Sequence, residues 1–160
     1  MSKQKIILVV CTANVCRSPM AAGLLRHRLE AAGLDGAYEV RSVGTWAVSG
    51  APASSHAEQV MARRGIDISH HRAREVTAAD ILEANLILVM TEVHREALLA
   101  EFPAARGKTY LLSEMVGKRY DIADPYGSSL ANYEYCAEEM SSIIEAGFER
   151  ILSLADRGGQ

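Results

Sequence analysis

Val9-Val10-Cys11-Thr12-Ala13-Asn14-Val15-Cys16-Arg17-Ser18-Pro19 is the stretch on which the reading of this chain turns. An apolar run ends in a cysteine, a short polar loop follows, and the loop closes on Arg-Ser-Pro before a helix-forming run that begins at Met20. Upstream, Lys5 to Val10 is short, β-branched and unbroken, as expected of a buried strand. Downstream, Ser18 is expected to cap a helix and Pro19 to take its first position, where a missing N–H costs nothing. Met20, Leu24, Leu25 and Leu29 repeat at helical spacing up to Gly33. Cys11 is thus expected at a strand end, and Arg17 at a helix start.

That junction suits a tetrahedral anion. A loop of five residues between Cys11 and Arg17 can turn successive N–H groups inward, and the helix dipole adds positive potential. Arg17 offers a planar fork for two oxygens. Helix N-termini and cationic neighbours favour the thiolate of a cysteine placed among them. A lone cysteine at a strand end is ordinarily a small core residue. The specific feature is Cys, five residues and Arg-Ser-Pro at a strand-to-helix junction.

The rest of the chain continues the alternation. Tyr38 to Val43, Leu86 to Met90 and Lys108 to Leu112 read as further strands. His56 to Arg64, a short helix begun by Thr77 with Asp80 in a capping box, and a helix capped by Thr91 lie between them. One long helix is expected from about Ser129 to Ala155, with Leu130, Tyr133, Ala137, Met140, Ile144, Phe148 and Ile151 on its inner face. Strand–helix alternation predicts an α/β fold: a four-stranded parallel sheet with helices on both faces, three layers in a single domain over residues 1–160 with its core at about 5–155. Ligands of such sheets bind at the carboxyl ends of the strands, where the strand order reverses. The end of the first strand places Cys11 there.

Composition sets bounds on this. The 160 residues are 49% apolar and 23% charged, with a net charge of −3. No basic block points to nucleic acid, and no apolar run approaches the ~20 residues of a membrane helix. Three cysteines make no disulfide framework, so a reducing, cytoplasmic setting is expected.

Cys11 can attack phosphorus in line while the loop N–H groups and Arg17 hold the equatorial oxygens. A carboxylic acid must protonate the leaving atom. Asp124, followed by Pro125 in the irregular segment before the last helix, is the expected acid, with Asp121 next in line. Ser18 is expected to donate to the Cys11 thiolate. No metal or cofactor is required by this chemistry.

At this point the sequence resembles the low-molecular-weight protein tyrosine phosphatases. Their loop pattern C-x-G-N-x-C-R-S-P is matched by Cys11, Asn14, Cys16, Arg17, Ser18 and Pro19. Ser42-Val43-Gly44-Thr45 resembles the family's S-A-G-T, His71-Arg72-Ala73-Arg74 its H-x-A-R, and Asp124-Pro125-Tyr126 its acid loop D-P-[YWF]. The resemblance implies Cys11 as nucleophile, Arg17 as phosphate clamp and Asp124 as general acid. The phosphate-binding loop would comprise Thr12, Ala13, Asn14, Val15, Cys16, Arg17 and Ser18. Asn14 would take a left-handed conformation, braced by Ser42 and His71. Cys16 would be a second thiol that oxidants can join to Cys11. Trp46 and Tyr126 would wall a slot for a flat phosphorylated ring. A phosphorylated protein is the implied substrate, acted on by a monomer with no nucleic-acid or membrane partner.

Three departures bear on the substrate. Ala13 replaces the family's glycine, and Asn14 rather than Ala13 is expected to carry the unusual backbone angle. Asp-Pro-Tyr126-Gly127-x-Ser129 and Ser55-His56-Ala57 resemble the protein arginine phosphatase branch. Against these stands Val15, where that branch has a threonine whose hydroxyl orients the guanidinium. Val15 favours phosphotyrosine, with phosphoarginine the alternative. An arsenate reductase would need two further cysteines suitably placed, and no cysteine lies in Ile81 to Met90. A non-catalytic phosphopeptide-binding module would not need nucleophile, clamp and acid together.

Overall fold

The computed structural model describes residues 3–158. Four parallel strands, β1 (Lys5–Cys11), β2 (Tyr38–Gly44), β3 (Leu86–Val89) and β4 (Thr109–Leu111), form one sheet in the order β2-β1-β3-β4. The expected α/β architecture is the one observed. β1 is central because its residues are apolar on both sides: Ile6 to Cys11 are all buried. Strand alternation sorts them into two layers. Ile7, Val9 and Cys11 join the larger core, with helices α1 (Arg17–Ala31), α2 (Ser55–Arg63), α5 (Leu130–Ala146) and α6 (Phe148–Arg157). Leu8 and Val10 join a smaller core that includes Ile81 of α3 (Ala78–Glu83) and Leu98 of α4 (Glu92–Glu101).

The chain leaves β1 toward β2 on one side, then returns across it to β3 on the other. The strand order therefore reverses at β1, and its carboxyl end opens between diverging connections. Cys11, paired in register with Gly44, is the last residue of β1.

Two sequence expectations need correction. The first concerns the start of α1. The helix begins at Arg17, with Cys16 at the N-cap position and no side chain capping it. Ser18 and Pro19 are its second and third residues, and Ser18 is fully buried. The Ser18 hydroxyl is drawn into the loop instead of the cap, as described below.

The second concerns the C-terminal helix, which is two helices meeting at Gly147. A Cβ there would lie 2.6 Å from the carbonyl oxygen of Met115 and 2.8 Å from the Met115 Cβ. Met115 belongs to a short 3-10 helix, Leu112–Val116, pressed into this corner. The apolar face continues through the break, so its periodicity could not reveal it. Met140, Ile144, Phe148 and Ile151 are all buried, and Leu130 is partly so. The capping predictions at Thr77 and Thr91 match the structure, each making a reciprocal box with the residue three positions on.

Candidate active site

The loop from Cys11 to Arg17 curls around a point above the carboxyl end of β1. Asn14 makes this curl possible. Its φ is +61°, and among the described residues it is the only non-glycine with positive φ. Asn is among the few residues that enter this region at low cost. Ala13 fits without strain of that kind, as its departure from the glycine pattern requires.

Asn14 is also fully buried, and its side-chain amide and its carbonyl are all used. Its Nδ2 donates to Ser18 Oγ at 2.7 Å and to Ser42 Oγ at 2.8 Å. Its Oδ1 accepts the backbone N–H of Arg74 at 3.0 Å. Its carbonyl accepts from His71 Nε2 at 2.7 Å, which places the ring proton on Nε2. Burial holds the His71 imidazole below its ordinary pKa, so the ring is neutral at pH 7. Gly44 lies against the same loop; a Cβ there would meet the Thr12 carbonyl oxygen at 2.4 Å.

The Cys11 sulfur is buried and faces the start of α1. Ser18 Oγ lies 3.0 Å from it, and the Ser18 N–H donates to it at 3.4 Å. The Ser18 hydroxyl already accepts from Asn14, which leaves its proton for the sulfur or the Val43 carbonyl, 3.4 Å away. The uncapped start of α1 therefore directs its free N–H groups at the place where an anion would stand.

Arg17 is buried and spans the site. Its Nη1 donates to the Ile122 carbonyl at 2.9 Å. Its Nη2 lies 3.5 Å from both Thr12 Oγ1 and Asp124 Oδ2. Its Nε is buried with no hydrogen-bond partner. A buried unpaired guanidinium N–H is costly, and an oxyanion in the loop would relieve it.

A cavity of about 320 Å³ opens over these groups. Its lining combines Cys11, Thr12, Cys16, Arg17 and Asp124 with the apolar Ala13, Val15, Val48 and Ala51 and the aromatics Trp46 and Tyr126. Trp46 and Tyr126 are 75% and 67% exposed, unusual for aromatics this large. Asp121 turns away, its Oδ1 accepting the Glu92 N–H at the start of α4 at 2.9 Å.

Cys16 also borders the cavity, with its thiol engaged elsewhere. It contacts Tyr133 Oη at 3.2 Å and Ser54 Oγ at 3.6 Å. Burial raises its pKa. Burial pushes Cys136 up to about 12, its thiol 4.0 Å from the Ala123 carbonyl. All three cysteines are free thiols.

Of the expected site residues, Cys11, Thr12, Ala13, Val15, Cys16, Arg17, Trp46, Asp124 and Tyr126 line the cavity, while Ser18, Ser42 and His71 bond to Asn14 of the loop. Sequence reasoning missed Val48 and Ala51, which lie in an aperiodic loop. It also missed the Ile122 carbonyl, the Tyr133–Ser54 contact with Cys16, and His94, whose Nε2 lies 2.8 Å from Thr12 Oγ1. A histidine in the third position of a capping box, where a carboxylate or amide is usual, was the available signal for the last.

The family model described as low molecular weight phosphotyrosine protein phosphatase matches residues 6–153. The chain belongs to this family. It is 42% identical over 150 residues to a protein of Ralstonia nicotianae described as a probable low molecular weight protein-tyrosine-phosphatase, EpsP, covering 94% of this chain and 98% of that one. It is 38% identical to a protein-arginine-phosphatase of Geobacillus stearothermophilus, covering 91% and 95%. Its fold matches the crystal structure of a low molecular weight protein tyrosine phosphatase from T. tengcongensis with a TM-score of 0.86 at 40% identity, over 91% of this chain and 98% of that one. Among the described residues, no helix is long and apolar enough to cross a membrane.

Proposed function

We propose that this phosphatase hydrolyses phosphotyrosine in proteins through a cysteinyl-phosphate intermediate. The observation that carries the reading is the cavity. Its lining brings Cys11, Arg17 and Asp124 together with Val15, Trp46, Val48, Ala51 and Tyr126.

In the first step the Cys11 thiolate attacks phosphorus. An S–P bond forms as the P–O bond to the tyrosyl oxygen breaks. Asp124 gives its proton to the departing phenolate. The loop N–H groups and the free N–H groups of Arg17 hold the three equatorial oxygens. In the second step water attacks phosphorus and Asp124 takes its proton. The S–P bond breaks, and the Ser18 hydroxyl stabilises the returning thiolate.

The walls favour an aromatic ester. Val15 presents methyl groups where a guanidinium would need a hydroxyl. Trp46 and Tyr126 can flank a flat ring. The Asp124-Pro125-Tyr126-Gly127-x-Ser129 pattern is the feature that keeps phosphoarginine as the second reading.

Turnover of phosphotyrosine and phosphoarginine peptides, measured side by side with chelator present, tests the proposal. A higher kcat/KM on phosphotyrosine supports it. A preference for phosphoarginine would overturn the substrate and leave the two steps standing. Cys11→Ser should lower para-nitrophenyl phosphate hydrolysis by at least roughly 10⁴-fold, as loss of other enzymic nucleophiles does. Activity retained in that variant would remove Cys11 from its role.

A further inference from the structure

His94 is a buried histidine that neither step above uses. It occupies the third position of α4, and both ring nitrogens are engaged. Nδ1 accepts the Thr91 backbone N–H at 3.2 Å, so Nδ1 carries no proton. The His94 N–H returns to Thr91 Oγ1 at 3.3 Å, which completes the cap and fixes the ring. Burial, then the positive Arg17, lowers its pKa to about 4, which keeps the ring neutral at pH 7. Its single proton is therefore on Nε2, pointed at Thr12 Oγ1 across 2.8 Å.

That donation determines what the Thr12 hydroxyl can do. One lone pair is held by His94. The other faces Arg17 Nη2 at 3.5 Å. On its far side the guanidinium is tied to the Ile122 carbonyl through Nη1. Thr12 and Ile122 thus hold the guanidinium through Nη2 and Nη1, and its Nε is left buried and unpartnered beside the loop's own residue Thr12.

We infer that His94 is a positioning residue for the phosphate clamp, acting through the Thr12 hydroxyl to set the plane of Arg17. The inference rests on the phosphatase reading. It assigns to the start of α4, a segment far from the loop in sequence, a part in phosphate binding.

Thr12→Val is the informative variant, because it keeps the side-chain shape and leaves the cap of α4 intact. Binding of inorganic phosphate by calorimetry should weaken by about tenfold, the size expected for one hydrogen bond to a charged group. The kcat/KM for para-nitrophenyl phosphate should fall by a similar factor. Thr12→Ser, which restores the hydroxyl, should recover both to within about twofold. Adding His94→Ala to Thr12→Val should cost no further phosphate affinity, although it removes the cap and lowers Tm. Phosphate affinity unchanged in Thr12→Val, or a full additive loss in the double variant, would overturn the inference. A wild-type protein that binds phosphate but turns over no phosphate ester would instead overturn the phosphatase reading, and the calorimetric comparison would still decide the role of His94.

Discussion

The Arg17 guanidinium donates to the carbonyl of Ile122 at 2.9 Å, two residues before Asp124. Arg17 thereby ties down the loop that carries Asp124, the proposed general acid. A second tie runs from the Ile122 N–H to the Met90 carbonyl at 2.9 Å, at the end of β3. Asp121 adds a third at the start of α4. Asp124 itself stays half exposed at the cavity mouth, on an anchored stem.

Asp124 and Asp121 should therefore separate cleanly by mutation. Asp124→Asn should lower kcat on phenyl phosphate by about 10² to 10³, within the range for loss of a general acid. The loss should be smaller on para-nitrophenyl phosphate, whose leaving group needs less protonation. Steady-state kinetics on both esters checks this. Asp121→Asn should preserve that leaving-group pattern.

Asn14 should be the most sensitive loop residue that does not touch the reacting atoms. Asn14→Ala would place a Cβ-bearing residue without local hydrogen bonding at φ +61° and leave the Arg74 N–H and the Ser42 and Ser18 hydroxyls without their partner. A cost of about 3 kcal/mol is expected from backbone strain and lost buried hydrogen bonds. Asn14→Gly should be milder, since it removes only the hydrogen bonds. Chemical denaturation of both variants tests the order.

Stability should fall as pH is lowered from 7 toward 4. His71 and His94 both have folded pKa values below the ordinary 6.5, His94 at about 4, in each case chiefly through burial. Below pH 6.5 the unfolded chain binds protons at these sites that the folded chain does not, so unfolding is favoured. The contribution is fully present above pH 6.5 and is lost as pH falls through the folded values. Tm measured across this range should decline, and His71→Gln should flatten the upper part of the curve.

Gly147→Ala should destabilise the protein more than a helix propensity scale suggests. Alanine is the better helix former. Here its Cβ would meet Met115 backbone at 2.6 Å, so α5, α6 and the 3-10 helix must shift apart. A Tm below that of wild type is expected. A rise would mean that the break between α5 and α6 is not set by this contact.

The sequence alone determined the parts whose causes are local. Strand β1, the capping box at Thr77, the cap at Thr91 and the placing of the Cys11–Arg17 loop at a strand-to-helix junction follow from residue type and short spacing. Those are consequences of steric limits and of donors and acceptors within a few positions. Tertiary structure decided what depends on distant neighbours. Met115 breaks a helix whose apolar face runs on unbroken. Asn14 draws Ser18 from the cap into the loop. Ile122 and His94 converge on Arg17 and Thr12 from segments about 80 to 105 residues away. Periodicity reports which face of an element is buried, and carries no record of the partner packed against it. The loop's residues and its place at a strand-to-helix junction could be read along the chain, while the setting of its arginine depends on what the fold packs beside it.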